Sequence, residues 1–222
     1  VIAMAGGYES DGKTATNALL LFETTTGLWR SGPPMSAPRT NAMGANWGGK
    51  LAVIGGSPTY GSQRPTGTID VYDPVSNKWE RSLQTITPRA GGVAVVASDR
   101  TYVVGGDDGL PSSGYGTPLA EIVAVDGACR GPGLGLGRTQ VAGGALPFGI
   151  VVAGGWTVEG DTEKVEGLLG DRSGWLSLPP MPTRRAGAAS VVLNGSLIVA
   201  GGGQFQGAGW VRQDAVEALE AH

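Results

Sequence analysis

Histidine and cysteine are nearly absent from this chain of 222 residues, which contains one of each, His222 and Cys129. A single cysteine cannot close an internal disulfide, so a disulfide-stapled fold is excluded and a reducing compartment is favoured. One histidine and one cysteine cannot form the ligand clusters that hold zinc or copper, so we expect no metal centre and no cofactor. The acidic stretches GGDDG and EGDTE are typical of solvated loops, with a hard-cation site as the alternative.

An excess of basic charge and long apolar runs are also lacking. The 16 lysines and arginines are outnumbered by 19 aspartates and glutamates, which gives a net charge of -3. Nucleic acids and anionic membranes attract basic surfaces, so neither is indicated as a partner. No apolar run reaches the length that spans a bilayer. We therefore expect no membrane span and a cytoplasmic or other intracellular location.

Glycine, by contrast, is abundant, with 40 residues, and its pairs are periodic. Five apolar runs end in Gly-Gly: VIAMAGG, KLAVIGG, TYVVGG, IVVAGG and SLIVAGG. The first glycines are separated by 55-6 = 49, 105-55 = 50, 154-105 = 49 and 201-154 = 47 residues. Tryptophans and proline-preceded arginines keep the same period. The predicted structural positions are Gly6, Gly7, Gly55, Gly56, Gly105, Gly106, Gly154, Gly155, Gly201, Gly202, Trp29, Trp79, Trp175, Arg39, Arg89, Arg138 and Arg184.

Each repeat unit predicts four short strands, here called a to d. Runs of β-branched and apolar residues bounded by Gly, Pro, Asn and Asp are the strand signal, and no segment has a sustained helical period. A four-stranded unit of about 50 residues predicts a β-propeller blade. The expected blades are 1–34 (strands b to d), 35–84, 85–133, 134–180 and 181–222 (strands a to c). The repeat makes AVEALEA a third strand, although its composition favours a helix.

The order of Gly-Gly, Tyr-Asp, Trp and Pro-Arg resembles the Kelch repeat over essentially the whole chain. PRTNAMGANWGGKLAVIGG followed by TIDVYDPVSNKW carries the resemblance best, and the third unit departs from it, with Cys129 in place of Trp. The resemblance implies an all-β propeller of four-stranded Kelch-type blades. Kelch propellers have six or seven blades, so about four and a half blades imply part of a larger ring. A self-contained ring of five blades is the alternative.

Three stretches partly match motifs of nucleotide-binding or catalytic sites, and each is better explained as a turn or loop. GANWGGKL has Leu51 where a phosphate-binding P-loop needs Ser or Thr, and it lies in the predicted hairpin between strands a and b. SDGK matches Ser-x-x-Lys without its companion motifs, and GPGLGLGR never forms G-x-G-x-x-G. Kelch-type copper oxidases require histidine ligands that this chain lacks. We therefore predict no catalytic, cofactor-binding or metal-binding residue.

The loops between strands b and c differ most from unit to unit, and loops carry most of the function of such scaffolds. They should emerge on the same end of the propeller as the connections between d and a, where the repeated arginines either pair within the structure or present an anion-binding surface. Aromatic and arginine side chains are enriched in interface hot spots. The predicted partner-binding residues are Tyr8, Tyr60, Arg64, Tyr115, Trp156, Phe205, Trp210 and Arg212.

Two functions follow from this resemblance and composition. The first is a non-catalytic interaction module or scaffold subunit that binds another protein or peptide, within a larger assembly. The alternative is a metal-free propeller that binds or isomerises carbohydrates, as the Kelch-type sialic-acid mutarotases do.

Overall fold

The computed structural model describes residues 1–59, 64–98, 100–109, 122–124, 131–170, 174–206 and 209–220. In this part of the chain every regular element is a β-strand. The strands are β1 Ile2–Ala5, β2 Leu19–Glu23, β3 Leu28–Ser31, β4 Met43–Trp47, β5 Lys50–Ile54, β6 Thr68–Asp73, β7 Lys78–Thr85, β8 Val93–Ala97, β9 Arg100–Val104, β10 Ile122–Ala124, β11 Ala142–Leu146, β12 Gly149–Ala153, β13 Trp156–Thr157, β14 Gly160–Asp161, β15 Val165–Leu169, β16 Trp175–Leu178, β17 Ala189–Leu193, β18 Ser196–Ala200, β19 Gly203–Gln206, β20 Gly209–Arg212 and β21 Val216–Glu220. The all-β prediction is confirmed.

Seventeen of these strands form five antiparallel sheets, one for each repeat unit, and the other four form the two short hairpins β13-β14 and β19-β20. Two sheets have four strands, β4-β5-β6-β7 and β11-β12-β15-β16, and three have three described strands, β1-β2-β3, β8-β9-β10 and β17-β18-β21. Within the tail AVEALEA, Val216–Glu220 form β21, which pairs with β18 along its length. Pairing with a neighbouring strand therefore overrides the helical preference of its Ala, Glu and Leu residues.

The sheets stack radially, as the blades of a β-propeller do. The innermost strands lie side by side in chain order, β4 beside β8, β8 beside β11 and β11 beside β17. We number the sheets blades 1 to 5 along the chain. Apolar side chains fill each space between neighbouring blades, as where Met43, Ile54 and Ile69 of blade 2 meet Val103 of blade 3. Each blade thus buries a face that it could not bury alone.

Two of the repeated tryptophans lie in these spaces between blades. Trp79 of blade 2 packs with Leu19 and Leu21 of blade 1. Its indole nitrogen donates to the Pro33 carbonyl oxygen at 2.7 Å. Trp175 of blade 4 packs against the cluster between blades 3 and 4, and its indole donates to the Pro132 carbonyl oxygen at 2.8 Å. Each of these indoles therefore combines apolar contact with one hydrogen bond to a preceding connection. Trp29 of blade 1 is instead 52% exposed.

The repeated arginines are fully buried and each ties together its own blade. Arg39 donates to the carbonyl oxygens of Gly55 and Thr68, both at 2.9 Å, and to the Asp70 carboxylate at 2.6 Å. Arg138 makes the equivalent bonds to Gly154, Lys164 and Glu166, and Arg185 to Gly201, Ala215 and Glu217. Arg89 donates to the Gly105 carbonyl at 3.1 Å. These arginines are internal ties of the blades and do not present an anion-binding surface.

The prediction of Arg184 as the repeated arginine was wrong by one residue. Arg184 is 58% exposed and pairs with Glu163 at 2.8 Å, whereas Arg185 is buried and makes the repeated bonds. The reason is a fixed distance along the chain. In each unit the arginine reaches the carbonyl of the glycine 16 residues later, and counting back from Gly201 gives Arg185.

The glycine pairs join each blade to the next. Gly56 donates its N–H to the Arg89 carbonyl of the following blade at 2.9 Å. Gly55 has a φ of 63°, and a Cβ built on it would lie 2.6 Å from the same carbonyl oxygen. A side chain would therefore clash at this junction, which explains why glycine stands here. The pairs beginning at Gly6, Gly105 and Gly154 donate to the carbonyls of Arg39, Arg138 and Arg185 in the same way.

Candidate partner-binding face

The predicted binding loops emerge at one end of the propeller. The residue after each buried arginine pairs with the residue after a glycine pair, as in the bridges of Thr40 with Ser57, Ala90 with Asp107, Thr139 with Trp156 and Ala186 with Gly203. These bridges hold the starts of the b-to-c loops beside the connections between d and a. We call this end the loop face, and define it by the described residues of the five segments 8–17, 57–67, 107–118, 156–163 and 203–214.

A chain of backbone hydrogen bonds runs from blade to blade beneath these loops. Gly91 N donates to Asn41 O at 2.8 Å, Gln140 N to Gly91 O at 2.5 Å, and Gly187 N to Gln140 O at 2.9 Å. Each of these four residues follows a buried arginine by two positions and has a left-handed φ between 51° and 69°. Backbone hydrogen bonds therefore link the blades directly beneath the loops.

Three of the predicted aromatic residues form one cluster on the loop face. Trp156 lies in the loop of blade 4, and Phe205 and Trp210 lie in the hairpin β19-β20 of blade 5. The Trp156 ring centroid is 5.9 Å from that of Phe205 and 5.7 Å from that of Trp210, and Phe205 and Trp210 are 6.3 Å apart. We call these residues the aromatic cluster. Phe205 remains 44% exposed and Trp210 46% exposed, so the cluster presents apolar surface to solvent.

The hairpin β19-β20 places the cluster through its register. Phe205 pairs with Trp210 and Gly203 with Arg212, so all four project from the same side of the hairpin. Gly203 leaves room for the indole, because a Cβ there would lie 2.7 Å from the Trp210 ring. The other blades have Tyr8, Ser57, Asp107 and Trp156 in the place of Gly203. This glycine therefore lets the Trp210 ring lie across its own hairpin.

Asp161 links the two loops that build the cluster. Its carboxylate Oδ1 accepts a hydrogen bond from the Phe205 backbone N–H at 2.9 Å, from blade 4 to blade 5. The sequence singled out Asp161 only as part of the acidic stretch EGDTE, and this contact with the neighbouring loop was not predicted. The bond explains how two loops of different blades hold a shared aromatic surface.

Three other predicted partner-binding residues, Tyr8, Arg64 and Arg212, are exposed. Tyr8 is 40% exposed and pairs with Ala15 in its own loop. Arg64 is exposed in the loop of blade 2, and Arg212 is exposed at the base of β20. Tyr60 and Tyr115 lie outside the described residues. The structure therefore brings together Trp156, Phe205 and Trp210 from the predicted set of eight.

The loop face is acidic. Its five segments contain Glu9, Asp11, Asp107, Asp108, Glu159, Asp161, Glu163 and Asp214 against Lys13, Arg64 and Arg212, so their net charge is 3 - 8 = -5. The whole chain carries -3, so the remainder carries -3 + 5 = +2. Negative charge is therefore concentrated in these loop segments.

Asp107 is a half-buried carboxylate on this face. It accepts a hydrogen bond from the Thr139 hydroxyl at 2.8 Å and from the Gly109 backbone N–H at 3.1 Å. Burial nevertheless raises the pKa of Asp107 above its ordinary value, because the charged form loses solvation. Asp11, on an exposed loop, shows the opposite effect, since hydrogen bonds from Thr14 and Lys13 lower its pKa. The loop face thus contains carboxylates in two different settings.

Neither a metal-binding cluster nor a membrane-spanning helix is found in the described part of the chain. No group of three or more His, Cys, Asp or Glu side chains there is arranged to hold a metal ion. Within the same residues, no helix has the length and apolar character needed to cross a membrane.

The chain is similar to several known proteins, although no protein-family model matches it. It is 26% identical to human Kelch-like protein 23 over 208 residues, which is 90% of this chain and 35% of that protein. It is 31% identical to beta-scruin of Limulus polyphemus over 129 residues, 56% of this chain and 14% of that protein. The chain thus spans about a third or less of the length of these relatives.

A solved structure shows the same fold. The structure of YjhT superposes with a TM-score of 0.83 over 99% of this chain and 78% of that chain, at 15% sequence identity. At this identity the likeness concerns the fold alone. The resemblance to Kelch-repeat proteins is confirmed by these similarities, and the fold is an all-β propeller.

Proposed function

We propose that this chain is a non-catalytic binding module that holds a partner protein or peptide on its loop face. The observation that supports the proposal most is the aromatic cluster, whose Phe205 and Trp210 rings are nearly half exposed on a rigid base. Exposed aromatic side chains of this kind are the usual anchors of protein interfaces. The similarity to a Kelch-like protein and a scruin is consistent with a role in protein assembly.

The rigidity of the site also favours binding. The Asp161 bond fixes the hairpin β19-β20 against the neighbouring loop, and the backbone chain through Gly91 and Gln140 fixes the base. A preorganised surface loses less conformational entropy when a partner binds.

Removal of the exposed rings tests this proposal. Phe205→Ala with Trp210→Ala should abolish capture of the partner from an extract of the source organism. The matched control is Val75→Ala with Leu83→Ala, which truncates two side chains that are 94% and 102% exposed outside the loop face. Thermal unfolding of both variants verifies that the fold is intact. Equal capture by both double variants would refute binding at the aromatic cluster.

Metal-free carbohydrate binding is the second candidate. One observation favours it, the Trp210 ring, which is 46% exposed. An exposed aromatic ring can pack against the apolar face of a sugar. Titration calorimetry against neutral and acidic sugars separates the candidates: sub-millimolar binding of one sugar, lost with Trp210→Ala, would favour this function.

A further inference from the structure

The negative charge of the loop face favours partners of positive charge. The face carries -5 and the rest of the chain +2. An exposed surface of one sign speeds the approach of the opposite charge and disfavours partners of its own sign. A partner segment that docks here is therefore selected for basic character.

The acidic residues lie on both loops that build the aromatic cluster. Glu159 and Asp161 belong to the loop of Trp156, and Asp214 follows the hairpin of Phe205 and Trp210. Glu159 and Asp214 are exposed, and Asp161 is half-buried with its Oδ1 bound to the Phe205 N–H. The two segments 156–163 and 203–214 contain four carboxylates and Arg212, and Glu163 pairs with Arg184 of the adjoining connection at 2.8 Å, so the net charge with Arg184 included is 2 - 4 = -2.

Exposed aromatic rings and carboxylates together suit one kind of side chain. Arginine and lysine have an apolar stem that packs on a ring and a cationic head that a ring face or carboxylate attracts. The three ring centroids are 5.7 to 6.3 Å apart, so the rings form one continuous apolar surface. Such a surface fits an extended segment that lies across it.

We infer that the aromatic cluster with Glu159, Asp161 and Asp214 is the docking site of an arginine- or lysine-rich, extended segment of a partner protein. This inference rests on the proposed binding function and adds the chemistry of the partner. A basic segment gains contact with the rings and with the carboxylates, whereas an acidic segment would be repelled by the same carboxylates.

Selection from a random dodecapeptide library displayed on phage tests the inference on the whole chain. Peptides enriched on the unaltered protein and lost on the Phe205→Ala, Trp210→Ala variant should contain arginine or lysine above the frequency in the library. Enriched peptides that are neutral or acidic, but still depend on the two rings, would overturn the basic partner and leave the binding function standing. Enrichment that ignores the two rings, or no enrichment at all, would overturn both.

Charge-neutral variants give a second measurement. Glu159→Gln with Asp214→Asn should weaken binding of a selected basic peptide about fivefold, as expected for two exposed charge pairs. These two residues are exposed on the two loops that carry the rings, and neither takes part in the bond between Asp161 and Phe205. Glu23→Gln with Glu80→Gln removes the same charge from outside the loop face and should leave the affinity unchanged. Equal effects of the two pairs would contradict a local role for Glu159 and Asp214.

Discussion

The adjacent residues Arg184 and Arg185 allow a matched test of the buried arginine ties. Arg185→Met keeps an unbranched stem but removes the bonds to the Gly201 and Ala215 carbonyls, at 3.0 and 2.8 Å, and to Glu217 at 2.7 Å. Removal of one partner from a buried ion pair costs about 3 to 5 kcal/mol, because the other charge stays buried. Arg184→Met breaks only an exposed pair, which is worth about 1 kcal/mol or less.

A double variant separates the cost of the unpaired Glu217 charge from the cost of the lost carbonyl bonds. Arg185→Met with Glu217→Met removes both charges, so about 2 kcal/mol should return, and the remaining loss reflects the two carbonyls, at about 1 kcal/mol each. For a chain of this size a change of 1 kcal/mol shifts the melting temperature by about 2 to 4 °C. Arg185→Met should therefore lower it by roughly 6 to 20 °C.

Thermal unfolding and urea titration, both followed by tryptophan fluorescence, measure these effects. The order of stability should be unaltered protein, Arg184→Met, the double variant and then Arg185→Met. If Arg184→Met were as damaging as Arg185→Met, the assignment of the repeated position to Arg185 would be refuted. If both were mild, the arginine ties would contribute little to stability.

Three further predictions concern the junctions, a buried carboxylate and the hairpin. Gly55→Ala should lower the free energy of unfolding by more than about 2 kcal/mol, because strain at positive φ adds to a backbone clash. Gly48→Ala, with open space around it, should cost about 1 kcal/mol. Urea titration compares the free energies of unfolding of the two variants. Burial raises the pKa of Asp107 in the fold, so its charged form costs stability above that pKa. Asp107→Asn should therefore raise the melting temperature at neutral pH, and the gain should vanish as pH falls toward the unfolded pKa of about 4. A gain that does not change with pH would contradict this cause. Gly203→Ala should displace the Trp210 ring and weaken partner capture with little change in the melting temperature; unchanged capture would show that the ring position is not needed.

The strands were predictable because the repeat imposes the same pattern five times. The tail AVEALEA illustrates this, since its composition favours a helix while its place in the repeat correctly predicted β21. The arginine of the last unit was misassigned because Arg184 and Arg185 both follow the proline-rich approach. The distance of 16 residues to the glycine carbonyl was present in the sequence and distinguishes them.

The aromatic cluster was only partly predictable. Trp156, Phe205 and Trp210 were selected by residue type and loop position, but their meeting depends on Gly203 and on the Asp161 bond. The b-to-c loops share no periodic pattern, so contacts between loops of different blades leave no signal in one sequence. The residues Asn41 and Gln140 were missed for another reason: their role is performed by backbone atoms, which any residue supplies.

The junctions between blades have a consequence for how such a protein can change over evolution. The donor at each junction is a glycine N–H of one unit, and the acceptor is the arginine carbonyl of the next. Duplication of one unit of about 49 residues, the separation of Gly6 and Gly55, would copy a donor and an acceptor together. A gene can therefore gain or lose a whole blade without inventing a new interface, while its loops diverge to meet different partners.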